Sequence, residues 1–130
     1  MKHGLMIIFT LALFGCENDD NVNKATSADL KGKWIEMKTR TDTLTFLSWD
    51  TMEVMNLRRG KEMRDGHLLP KSGSGPYEYK LTPGRISLYW MLSSNYSFKD
   101  YSFEQVGDRL IIENFYGSPS GARLTFEKVK

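Results

Sequence analysis

Few side chains in this 130-residue sequence have the types and spacing that chemistry needs. Cys16 is the only thiol, so no intramolecular disulfide can form, and a lone cysteine in an exported chain points to modification rather than pairing. The histidines are His3 and His67 alone. With one cysteine they cannot build a histidine–cysteine metal cluster or a histidine-dependent triad, and no metal or cofactor is expected. Asp50, Glu53, Asp100, Glu104 and Glu113 could serve as paired carboxylates for glycoside hydrolysis if folding brought two of them together, but no spacing selects a pair. No glycine pattern follows a strand and opens a helix, as a phosphate or dinucleotide site requires. The chain is therefore not expected to be an enzyme.

What remains is the chemistry of recognition. Arg58, Arg59, Lys61, Arg64 and Lys71 stand against Glu62 and Asp65, a cationic segment able to meet anionic sugar or lipid headgroups. The same charges equally suit a solvated loop. Trp49, Tyr89 and Tyr116, with Trp90, supply rings that could stack on carbohydrate or on a protein partner, or simply pack a sheet. Any ligand or partner is expected to meet the loop from Arg58 to Lys71 together with exposed aromatics at one end of the domain, since rigid β scaffolds usually carry recognition on loops.

Three segments must position these groups. Residues 1–15 begin with Lys2 and His3, run apolar from Leu5 to Phe14 with only Thr10 intervening, and reach Gly15-Cys16. A membrane span needs about 20 apolar residues, so this segment reads as a removable signal peptide. Residues 16–30, opening with Glu17, Asn18, Asp19 and Asp20, show no apolar periodicity and are expected to form a flexible acidic tether outside the core. Residues 31–130 form a single domain of about 100 residues. Removal of residues 1–15 leaves 17 basic against 16 acidic residues, a balance without general attraction to nucleic acid.

Within that domain apolar residues fall mostly at spacing two, with turn residues about every eight to twelve positions, which predicts an all-β antiparallel meander barrel of about eight strands or, alternatively, a β-sandwich. Strands are expected over residues 32–38, 43–49 and 51–57. Residues 58–76 interrupt as a loop with a short hairpin near Arg64, and Tyr77-x-Tyr79-x-Leu81 and Ile86-x-Leu88-x-Trp90 resume the alternation. Tyr96-Ser97-Phe98 and Tyr101-Ser102-Phe103 repeat at an odd offset, which calls for a bulge or turn at Lys99-Asp100 to restore the face. Strands over 110–115 and 124–129 close the chain. Inward positions are expected to include Trp34, Phe46, Tyr79, Leu88, Trp90, Phe103, Leu110 and Phe126, large enough together to fill a small barrel.

Leu13-Phe14-Gly15-Cys16 resembles the lipobox of bacterial lipoproteins, which implies that Cys16 is lipidated, with a diacylglyceryl group and commonly an amide-linked acyl chain such as palmitate, and holds the chain in a membrane. The acidic start after the cysteine resembles the surface-export signal of Bacteroidetes lipoproteins. Gly32-Lys33-Trp34 is similar to the opening of lipocalin (calycin-type) barrels, where the Trp packs across one barrel end. With the Tyr-x-Phe strand, the Gly107-Asp108 turn and the closing Leu124-Thr125-Phe126-Glu127-Lys128-Val129 strand, most of the domain is similar to small lipocalin-like lipoproteins of the Bacteroidetes.

The expectation is thus a non-catalytic outer-membrane lipoprotein of the cell envelope, facing the periplasm or the outer surface, whose lipocalin-like barrel binds a small apolar or glycan ligand. An alternative is a filled barrel acting on a protein partner, as an interaction or inhibitor-like module, through its loops. A hydrolase is the second alternative. An open or filled interior separates the first two, and convergent carboxylates with raised pKa would revive the third.

Overall fold

The computed structural model describes residues 25–115 and 122–130. A one-turn helix α1 (Ser27–Leu30) precedes ten strands: β1 (Gly32–Glu36), β2 (Thr43–Trp49), β3 (Met52–Arg58), β4 (Lys61–Arg64), β5 (His67–Pro70), β6 (Gly75–Thr82), β7 (Arg85–Trp90), β8 (Lys99–Val106), β9 (Arg109–Glu113) and β10 (Arg123–Lys128). Eight of them form a closed antiparallel barrel in the order β1-β10-β9-β8-β7-β6-β3-β2. The expected barrel is therefore present and the sandwich is not, because β1 closes on β10 through Trp34↔Lys128, Ile35↔Glu127 and Glu36↔Phe126. Closure leaves no unpaired edge in the barrel itself. β4 and β5 stand apart as a two-stranded ribbon inserted between β3 and β6, the hairpin expected near Arg64.

Antiparallel pairing makes the strand ends alternate between two rims. Gly32, Trp49, Met52, Thr82, Arg85 and Lys128 lie on the rim where α1 sits, here the proximal rim; Glu36, Arg58, Gly75, Trp90, Glu113 and Arg123 lie on the distal one. Alternation sends Trp34, Leu44, Phe46, Met55, Leu57, Tyr79, Ile86, Leu88, Phe103, Leu110, Ile112 and Phe126 inward, each at most 5% exposed. Burial of side chains of this size contributes about 1.5–3 kcal/mol apiece. Phe46 meets Tyr79 edge-on at 5.3 Å, the arrangement that ring quadrupoles favour. All eight residues expected to face inward do so, with Trp90 only partly covered at the rim.

Both rims are stoppered. At the proximal rim the Trp34 indole donates from Nε1 to the Leu30 carbonyl at 2.8 Å, and the Lys128 Nζ lies 5.3 Å from its ring and reaches the Asp29 carbonyl at 3.3 Å. Leu30 is wholly buried, and α1 is held by a capping box in which Thr26 and Asp29 satisfy each other's backbone N–H groups. Residues 25–30 thus correct the expectation of a tether running to residue 30: Ala25 and Leu30 pack on the core, because a capped turn places one leucine over the barrel mouth. At the distal rim Phe115 is buried edge-on against Tyr77 and Tyr101, at centroid distances of 6.1 and 5.2 Å.

The repeated Tyr-Ser-Phe motifs resolve differently from the expected bulge or turn at Lys99-Asp100, which are strand residues. β8 begins at Lys99, after the first copy. Tyr101 packs on the core and Phe103 points into it, whereas Tyr96 and Phe98 remain outside the barrel against Tyr89 on the outer face of β7. The odd offset needs no correction when only one copy belongs to the strand.

Candidate functional site

β3 leaves the barrel at Arg58, turns at Gly60 (φ +76°), and runs into the ribbon. Asp65 (φ +51°) and Gly66 (φ +77°) both adopt left-handed conformations, the geometry of a type I′ turn, whose twist matches that of paired strands. The register pairs Lys61 with Pro70, Glu62 with Leu69, Met63 with Leu68 and Arg64 with His67. Directly opposed residues share a face, so Met63, Leu68 and Lys61 lie on one side and Glu62, Leu69, Arg64 and His67 on the other.

Neither side is covered: Met63 is 64% and Leu68 60% exposed on one, and Leu69 is 39% exposed on the other. An isolated two-stranded hairpin is marginal in water, so the ribbon depends on its root. There Arg59 donates from Nη1 to the Ser72 carbonyl at 2.7 Å and lies 3.7 Å from the Asp42 carboxylate. Lys71 N–H donates to the Gly60 carbonyl at 3.1 Å. The returning segment is gripped by two rings of the barrel, Tyr77 Oη donating to the Gly73 carbonyl at 2.6 Å and Trp90 Nε1 to that of Ser74 at 3.1 Å. Burial, with Tyr101 nearby, pushes the Tyr77 phenol up to about 12 against the opposing pull of Arg59, so it stays a neutral donor at ordinary pH. A groove of about 310 Å³ between Leu57, Arg58, Lys61, Pro70 and Gly75 marks where ribbon and rim meet.

Of the residues singled out in the sequence, Arg58 and Arg59 lie at the distal rim, Lys61 at the root of the ribbon and Arg64 beside its turn. Their roles differ: Arg59 braces the root, while Arg58, Lys61 and Arg64 are exposed, Arg64 bonding the Pro70 carbonyl at 2.7 Å and lying 3.4 Å from Glu62. The expected aromatics do not join them. Trp49 is 62% exposed but sits on the proximal rim, at the opposite end of the barrel. Tyr89 is part of an outer-wall cluster, 4.6 Å from Tyr96 and 5.8 Å from Phe98, with the Lys80 ammonium 4.3 Å from the Phe98 centroid. Tyr116 and Cys16 lie outside the described residues. Sequence reasoning missed Met63, Leu68 and Leu69 as exposed apolar groups. Their flanking of Asp65-Gly66 was the available signal, since apolar residues beside such a dipeptide mark a hairpin.

The carboxylates are held by different partners. Glu53 faces inward near the proximal rim and accepts from Tyr79 Oη at 3.2 Å and Ser48 Oγ at 3.1 Å; burial and this carboxylate together raise the Tyr79 phenol. Asp100 accepts from Ser87 on the outer wall, and Glu113 pairs with Arg123 at 3.1 Å. Asp50 and Glu104 are exposed. Among the described residues no group of three or more His, Cys, Asp or Glu could hold a metal ion, and no helix is long and apolar enough to cross a membrane. Compared with known proteins, the chain matches no family model, no curated protein and no solved structure.

Proposed function

We propose that this chain is a lipid-anchored, non-catalytic recognition module of the bacterial cell envelope, attached at Cys16 in the manner of lipocalin-like lipoproteins and capturing an anionic partner with the β4–β5 ribbon rather than inside the barrel. The observation that carries this reading is the ribbon itself: an apolar pair, Met63 and Leu68, left in water among Arg58, Lys61 and Arg64. Exposed apolar groups rimmed by charge are a common form of interaction surface. Support also comes from the interior, where fully buried rings such as Trp34, Phe46 and Phe126 occupy the space a small ligand would need. α1, the described element nearest Cys16 in sequence, lies on the proximal rim, and the ribbon roots at the distal one.

The test replaces residues 60–74 with a Gly-Ser turn and compares variant and parent for binding to polyglutamate and to vesicles of anionic phospholipid, over a range of salt. Binding by the parent should weaken with salt, as screening over about 8–10 Å requires, and should be lost in the variant while the barrel's far-UV circular dichroism is kept. Equal binding by the two proteins would remove the ribbon from the account.

A further inference from the structure

The ribbon's two edges are not equivalent. Gly60 and Lys71 form a hydrogen-bonded pair, with Lys71 N–H on the Gly60 carbonyl. In an antiparallel ladder such pairs alternate with pairs whose backbone groups point outward. Lys61/Pro70 and Met63/Leu68 are therefore the outward-pointing pairs. On the β5 edge Pro70 has no N–H, and its carbonyl already accepts from Arg64 at 2.7 Å, which blunts that edge. On the β4 edge Lys61 and Met63 each turn an N–H and a carbonyl outward, about 6.8 Å apart, the repeat at which a further strand pairs. Among the described residues no backbone group meets them.

We propose that the β4 edge receives an extended, acidic segment of another protein as an added antiparallel or parallel strand. This rests on the reading of the ribbon as the recognition element and states how it recognises. Main-chain bonds to Lys61 and Met63 supply the attachment, and the side chains supply the selection. Arg58, Lys61, Arg64 and Lys71 outnumber Glu62 and Asp65 along the ribbon and its root, and Glu62 is already matched to Arg64. A second copy of this chain would bring the same cations against one another, so the complementary strand is acidic and comes from elsewhere. Alternation on such a strand would set apolar groups on the side of Met63 and carboxylates on the side of Arg64.

Full-length protein is titrated with a short peptide of alternating glutamate and valine and with its lysine–valine counterpart, followed by backbone amide NMR. The glutamate peptide should bind, shifting the Lys61 and Met63 amides, and the lysine peptide should not. Met63→Pro removes one outward N–H without touching the internal ladder, and should weaken binding by about tenfold or more, a loss of about 1.4 kcal/mol. Met63→Ala keeps the edge and should bind within about threefold of the parent, as should Leu68→Pro on the opposite edge. Undiminished binding by Met63→Pro would overturn strand addition while leaving the ribbon's role intact if the 60–74 replacement still abolishes binding; undiminished binding by both would overturn both. Should Met63→Pro disturb the ribbon, the wild-type amide map decides, since shifts that spare Lys61 and Met63 overturn the proposal. Capture of anionic vesicles with no response to the peptide also overturns it.

Discussion

Replacing Trp34 by alanine tests whether the stopper at the proximal rim organises the domain. The indole is fully buried, and a Trp side chain removes about 150–250 Å² from water, worth about 4–6 kcal/mol at 25 cal/mol per Å². Alanine keeps one carbon of that side chain and the rim partly collapses, so the expected loss is about 3–5 kcal/mol. The Leu30 carbonyl also loses its 2.8 Å donor, adding about 1 kcal/mol if water does not replace it. Against a total stability of about 5–15 kcal/mol this is a large fraction. With a urea slope of about 1.5 kcal/mol/M, the midpoint should fall by about 2–3 M. Trp34→Phe keeps most of the ring contact and removes the donor, so about 1–2 kcal/mol and a fall near 1 M are expected. Far-UV circular dichroism is the assay, because removing a tryptophan alters the fluorescence signal itself. A Trp34→Ala midpoint within about 0.3 M of the parent would refute the packing argument. A Trp34→Phe midpoint as low as that of Trp34→Ala would show that the bond to Leu30, not the ring, holds the rim.

Other outcomes follow from the same contacts. Phe115→Ala should cost about 3–5 kcal/mol in urea melts by emptying the contact with Tyr77 and Tyr101 at the distal rim. Burial pushes the Glu36 carboxyl up, but hydrogen bonds from Thr39 and from the Lys38 and Thr39 backbone outweigh it and hold the group below its ordinary value. A depressed folded-state pKa stabilises above the unfolded value and is lost as pH falls through the folded one, so thermal melts should show stability declining below about pH 4.5, and Glu36→Gln should flatten that decline. Gly75→Ala should destabilise by about 1–3 kcal/mol, since at φ +122° a Cβ is strained and would stand 2.9 Å from Leu92 Cδ1. Cys16→Ser should leave the barrel folded and move the chain from the membrane to the soluble fraction of cells, with loss of palmitate labelling; a mutant still membrane-bound after signal removal would contradict lipidation.

Alternation alone carried most of the architecture. Period-two patterns such as Tyr77-x-Tyr79-x-Leu81 and Ile86-x-Leu88-x-Trp90 make sense only on a pleated surface with one buried face, so the inward residues are legible in the sequence. Local turn chemistry was equally legible: Asp65-Gly66 between short apolar runs specifies a tight hairpin. Proximity across the barrel was not. Nothing in the spacing of Trp49 and Arg58 says that β2 and β3, being antiparallel, deliver them to opposite rims, because that follows from strand direction summed around a closed sheet. Residues 27–30 looked like linker since one turn of helix has too few residues for a period; only packing against Trp34 gives Leu30 a reason to be buried. The exposure of Met63 and Leu68 was decided the same way. A hairpin sequence fixes which residues oppose each other, but whether a barrel wall covers them depends on where the rim places the root, and here it leaves them in water.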